Sequence, residues 1–117
     1  WVIWHQGKFG PRVLDMAVEK DVGVLALKSL AKRAWREDEE REWPKCWYRP
    51  VESPEAAALA LRFTLSKPIT AAVCPSHAEF LWWACDAADQ FTPLSPEEEE
   101  LVRQRTEGLE PIFSQTR

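Results

Sequence analysis

The stretch from Leu59 to Ser76, LALRFTLSKPITAAVCPS, constrains the fold more than any other part of the chain. Ser53 is placed to cap a helix whose first position is Pro54, where the missing N–H costs nothing. Pro68 ends that helix, because the residue before a proline is pushed out of the α region. Ile69–Val73 is a short, continuously apolar run between two prolines, the pattern of a strand buried on both faces. Ser76 and Glu79 then have the spacing of a capping box opening another helix. Helix, buried strand and helix in that order predict a parallel sheet covered by helices.

The remaining segments extend the pattern. Residues 1–4, WVIW, read as a strand, followed by a loop in which Gly7 and Gly10 permit turns. Pro11 opens a helix running to about Lys20, with Val13, Leu14, Ala17 and Val18 on its apolar face. A turn at Asp21-Val22-Gly23 leads into a second apolar strand near 23–28. Together with a strand at 69–73, these give two successive βαβ crossovers and a three-stranded parallel sheet. The helix opened at Ser76 presents Phe80, Ala84 and Ala87 on one face, with Leu81, Cys85 and Ala88 beside it, and turns Trp82 outward. A last helix, 95–108, starts on a capping box at Ser95 and ends at Gly108. Glu97–Glu100 sit in its first turn, where the helix dipole favours negative charge, and the tail from Leu109 to Arg117 is expected to be loosely held.

One segment interrupts this regularity. Residues 36–52, REDEEREWPKCWYRPVE, form an insertion between the second and third strands. The charge run Arg36–Glu42 reads as a solvated loop. Trp43, Trp47 and Tyr48 do not fit that reading. So much apolar area implies a loop pinned to the body of the protein or over a cleft.

Composition closes off several classes of function. A net charge of −4 argues against a nucleic-acid binder, which needs a basic stripe. No apolar run has the length of a membrane span, and there is no secretory signal. Cys46, Cys74 and Cys85 are odd in number and share no framework spacing, which fits free thiols in a reducing, cytoplasmic setting. Cys74-x-x-His77 is half of a metal-site pattern with no second half, so no metal is expected. The chain opens on WVIW and its sole methionine is Met16, which reads as an incomplete protein.

Four stretches, GPRVLDMAVEKDVGVLALKSLA, AALALRFTLS, PITAAVCPSHAEF and LSPEEEELV, together resemble in order and spacing the C-terminal part of an aldo-keto reductase. The resemblance implies a partial TIM barrel over 1–117: the last three βα units of the eight, plus the C-terminal helix. It also implies that the family's catalytic Asp, Tyr, Lys and His lie outside this chain. No residue here inherits a catalytic role, and His5 becomes a barrel-mouth residue. The cofactor side is what remains. By resemblance, Leu27 lies where many relatives place an aromatic ring under the nicotinamide, and Lys28, Ser29 and Leu30 follow in the loop that wraps the pyrophosphate. Pro75 and Ser76 match the loop that grips the adenosine 2′-phosphate, although Ser76 reads equally well as a helix cap alone.

The family's arginine for that phosphate is replaced by Leu81, its adenine-binding pair by Ala84 and Cys85, and its Gly or Lys after the strand by Pro75. Little discrimination between NADPH and NADH is therefore expected, within about tenfold. The implied function is that of a nicotinamide-dependent oxidoreductase interconverting small carbonyls and alcohols, with NADP or NAD as cofactor. This chain would supply the cofactor side, inactive without the N-terminal part of the barrel. The alternative from a different class is a non-enzymatic α/β half-barrel module that pairs with another chain.

Overall fold

The computed structural model describes residues 1–8 and 10–113. Five helices and four short strands follow one another: α1 (Val2–His5), α2 (Pro11–Glu19), β1 (Leu25–Ala26), β2 (Ala31–Ala34), β3 (Tyr48–Pro50), α3 (Pro54–Leu65), β4 (Ala71–Ala72), α4 (Ala78–Asp89) and α5 (Pro96–Arg105). The fold is mixed α/β. Strands β1 and β4 pair in parallel, Leu25 opposite Ala71 and Ala26 opposite Ala72, while β2 and β3 form a separate antiparallel pair. Among the described residues no barrel closes, and no helix is long and apolar enough to cross a membrane.

Helix α3 forms where the sequence signals place it. The Ser53 hydroxyl accepts the Ala56 amide at 3.2 Å, Pro54 takes the first helical position, and the helix stops ahead of Pro68. Its Ala57, Ala60 and Leu61 are buried against Phe80, Ala84 and Ala87 of α4. Small residues on both surfaces let the two helices approach closely, and Phe80, wholly buried, fills the space beside them. Helix α5 opens on the expected capping box: Ser95 accepts the Glu98 amide at 3.2 Å and the Glu98 carboxylate accepts the Ser95 amide at 2.9 Å. The glutamates of its first turns do more than face the dipole. Glu98 is gripped by both terminal nitrogens of Arg62, at 2.6 and 2.8 Å, and Glu99 pairs with Lys67 at 2.9 Å, tying α5 to α3. The helix itself ends at Arg105, short of 108, with the chain turning through Gly108 at φ +73.

Several expectations are corrected. Residues 1–4 are not a strand. Their amide bonds run back along the chain, His5 to Trp1 at 3.2 Å and Gln6 to Val2 at 2.8 Å, as in a helical turn. A four-residue apolar run is ambiguous between the two states, and packing decides it. Val2 is buried, Trp4 meets Phe63 edge-on, and the indole of Trp4 lies where any side chain at Gly10 would stand. Without that strand the parallel sheet has two strands rather than three, and the first crossover is absent.

Nor is the strand at 69–73 buried on both faces. Ala71 and Val73 are exposed, as are Leu25 and Leu27 opposite, each at 64%. Helix α2 buries only Leu14 and Ala17; Val13 and Val18 are exposed. On α4, Phe80, Ala84 and Ala87 are buried and Trp82 faces outward as read, but Leu81, Cys85 and Ala88 are exposed.

The 36–52 insertion is the return arm of a hairpin. β3 pairs back onto β2, and the charge run between them is anchored at Glu39, which takes two bonds from Arg33 (2.7 and 2.6 Å) and an ion pair from Arg49. Trp43 is pinned against Phe80 at 4.5 Å between ring centroids and Tyr48 is buried, so these two hold the loop to the body, while Trp47 stays exposed. This docking overrides the capping box at Ser76. The N-cap of α4 is His77, without a side-chain cap bond. The Ser76 hydroxyl instead donates to the Lys45 carbonyl at 3.0 Å, and His77 Nε2 accepts the Lys45 amide at 3.2 Å. Of the C-terminal tail, Leu109–Phe113 is described and Ile112 is half-buried; the loosely held reading of 114–117 lies outside the described residues.

Candidate functional site

Among the described residues β1 pairs with β4 alone, so its second edge is unpaired. That edge faces an apolar groove of about 350 Å³ bounded by α1, α2, the end of α3 and the C-terminal segment. Trp4, Val13, Leu27, Phe63, Ile112 and Phe113 give the groove its apolar character. Lys28, Lys32 and Lys67 bring positive charge to it.

The three lysines are not equivalent. Lys32 pairs with Glu52 at 3.6 Å. Lys67 pairs with Glu99 and lies over the rings of Phe63 and Trp4, at 4.6 and 5.3 Å from their centroids. Lys28 has no carboxylate at ion-pair distance among the described residues. Its ammonium stands over Trp47 and Phe113, at 4.9 and 5.5 Å. Lys28 also has φ +62, in the left-handed region where a residue with a Cβ is strained. The next residue, Ser29, is 3% exposed, and its hydroxyl has no hydrogen-bond partner among the described residues. An unpaired cation, a strained backbone and an orphaned hydroxyl thus fall on two consecutive residues at the C-terminal end of a parallel strand.

The residues expected at a cofactor site are only partly brought together. Leu27, Lys28 and Ser29 line the groove. Leu30 is wholly buried in the core beside Cys46 and Val51, so its side chain has no surface to offer a ligand. Pro75 and Ser76 leave the same end of the β1–β4 pair but do not line the groove, and the Ser76 hydroxyl is committed to Lys45. A second hollow, of about 370 Å³ beside α3 and α5, is lined by none of these residues.

Burial favours the neutral forms of several acid–base groups, none of which lines the groove. Burial, followed by neighbouring positive charges that include Lys67, lowers His5, whose ring lies 5.2 Å from that of Phe63. Tyr48, the sole tyrosine, is pushed up to about 12 by burial first and nearby thiols second. Burial also raises the Cys46 and Cys74 thiols, which keeps them protonated and weakly nucleophilic. Among the described residues no three His, Cys, Asp or Glu side chains are grouped to hold a metal ion. The arrangement is suited to binding an apolar body with an anionic end rather than to proton transfer. No family model, no curated protein and no solved structure matches the chain.

Sequence reasoning named Lys28 and Ser29, which line the groove, but missed what surrounds them. Lys67 and Phe63 lie on or just after the α3 helix, and a two-sided helix offers a reader no sign of which polar residue faces a groove. Phe113 lies in a tail whose composition gave no reason to expect a fixed contact.

Proposed function

We propose that the chain forms the cofactor side of a nicotinamide-dependent oxidoreductase barrel of the aldo-keto reductase type, acting on small carbonyls or alcohols and completed by strands outside residues 1–117. One observation carries this reading: among the described residues, β1 has an unpaired edge and lines an apolar groove at the end where Lys28 has no acidic partner and the Ser29 hydroxyl has no hydrogen-bond partner. An unpaired strand edge beside exposed Leu25, Leu27 and Val13 is a surface built to receive another strand. The lysine and the serine hydroxyl are a donor set for the pyrophosphate of NADP or NAD. Because Ser76 is spent on Lys45, it adds nothing at a 2′-phosphate, which supports the expectation of NADPH and NADH affinities within about tenfold. The chain alone is inactive in this reading, since its sole tyrosine is buried and no lysine pairs with it. The free thiols of Cys46, Cys74 and Cys85 support a reducing, cytoplasmic setting.

The test is nucleotide titration and aldehyde reduction by the product of the complete reading frame, with the 117-residue chain as control. The complete product is expected to bind either nucleotide and reduce the aldehyde, and the control to show no turnover. Failure of the complete product to bind both nucleotides overturns the reading. The same open edge favours a second one, a non-enzymatic α/β module that pairs with another chain. A stable complex without nucleotide binding would select it.

A further inference from the structure

Lys28 is held by two parts of the chain far from it in sequence. Trp47 comes from the loop joining β2 to β3 and Phe113 from the segment after α5; their rings lie 5.9 Å apart and the Lys28 ammonium is over both. The other lysines of the groove have carboxylate partners, Glu52 and Glu99, whereas Lys28 is balanced by ring faces alone among the described residues. A ring face attracts a cation but offers it no oxygen acceptor, so an oxyanion would bind the same ammonium more strongly. The left-handed backbone at Lys28 and the orphaned hydroxyl of Ser29 are two further unsatisfied features of this resting arrangement.

We infer that Trp47 and Phe113 form a clasp that holds Lys28 in a resting position and must release it before a diphosphate-bearing ligand can bind. This rests on the reading of residues 27–29 as a phosphate site given above. In the closed state the two rings occupy the approach to the ammonium, and Ile112 and Phe113 wall the groove. Arrival of a diphosphate exchanges two ring contacts for a charge-assisted bond, gives the Ser29 hydroxyl an acceptor and frees the C-terminal segment to lift. Ligand affinity is reduced by the fraction of molecules in which the clasp is closed, so weakening the clasp raises affinity. Phe113 and Trp47 are both about half exposed, so replacing either leaves the core intact.

The experiment uses the whole chain with isotopically labelled lysine, observed by NMR, together with calorimetric titration of inorganic pyrophosphate, NADPH and NADH. In the parent chain the Lys28 ε-methylene resonance is expected upfield of the other lysines because of ring currents. It should move to the ordinary position in Phe113→Ala and Trp47→Ala, and on adding pyrophosphate to the parent. Phe113→Ala is expected to bind pyrophosphate about threefold more tightly, the scale of one exposed cation–π contact. An undisplaced Lys28 signal in the parent, a signal indifferent to pyrophosphate, equal affinities in parent and Phe113→Ala, or no pyrophosphate binding to any of the chains each overturns the clasp. If pyrophosphate behaves as expected but neither dinucleotide binds more tightly than pyrophosphate, the clasp stands and the nicotinamide reading falls. If NADPH binds well but equally to parent and Phe113→Ala, the reverse holds.

Discussion

Replacing Phe80 with alanine tests the packing on which the rest of the molecule depends. The side chain is 0% exposed and meets Trp43, Trp83 and His77 at centroid distances of 4.5, 5.3 and 6.1 Å. A buried aromatic removes ~150–250 Å² from water, which at ~25 cal/mol per Å² corresponds to roughly 4–6 kcal/mol. Phe→Ala replacements in cores cost about 3–5 kcal/mol, so a loss near 4 kcal/mol is expected. A chain of this length has a total stability of roughly 6–18 kcal/mol. Urea unfolding followed by tryptophan fluorescence reads the loss directly, since Trp43 and Trp83 flank the new cavity. With a urea slope of about 1.5 kcal/mol per molar, the midpoint should fall by about 2.5 M. Trp82→Ala is the control: at 62% exposed it should change stability by no more than about 0.5 kcal/mol. A Phe80→Ala loss below about 1 kcal/mol, or a Trp82→Ala loss that matches it, would place the wrong face of α4 against α3 and refute the packing argument.

Three further outcomes follow from local features. Ser95→Ala removes the hydroxyl of the α5 capping box and should cost about 1 kcal/mol, a fall of about 3–5 °C in Tm by scanning calorimetry. Glu39→Gln weakens the anchor shared by Arg33 and Arg49; at about 1.5–3 kcal/mol for bonds to a charged group, trypsin should cut the 36–42 run at least about tenfold faster. Glu98 and Glu100 are held below the usual 4.5 by bonds from Arg62 and Arg103 respectively, Glu100 down to about 2. Because the folded values lie below the unfolded one, their stabilisation is full above pH 4.5 and is lost as the pH falls toward about 2. Tm measured from pH 6 to 2 should therefore be flat and then decline, and a flat profile to pH 2 would refute the linkage.

The two capping boxes show how far local sequence reaches. Ser76-x-x-Glu79 and Ser95-x-x-Glu98 are the same pattern, yet only the second forms. At Ser95 nothing competes for the hydroxyl. At Ser76 the docked 43–47 segment presents the Lys45 carbonyl, a partner from 31 residues away that no local rule anticipates. Helix α3 was legible because Ser53, Pro54 and Pro68 act through their own backbone, and the pairing of 25–26 with 71–72 followed from two apolar runs flanking a helix. Residues 1–4 were not, since WVIW suits a buried strand and a packed helical turn alike. Strand β2, AKRA, carries no alternation of apolar residues to announce it. In the candidate site, Lys28 and Ser29 were visible as a strand-end pair, but the rings over Lys28 and the isolation of the Ser29 hydroxyl are products of tertiary contact.

The parallel β1–β4 pair joins segments 46 residues apart through a two-residue ladder, flanked by bonds from Thr70 to Val24 at 2.8 Å, Ala71 to Val24 at 3.3 Å and Val73 to Ala26 at 2.9 Å, with a side-chain bond from Val24 to Thr70. The length-dependent part of closing such a loop is about 3.4 kcal/mol in chain entropy, and a few bonds at about 0.5–1.5 kcal/mol each do little more than match it. The pairing leans on the helical body through β4, which packs on α3. Its large sequence separation predicts that it forms late in folding, after the local helices. In the native state its amides exchange with solvent through small local openings, while those of Leu61 and Phe63 in the helical body wait for global unfolding. The sheet is a dependant of the helices, not their foundation.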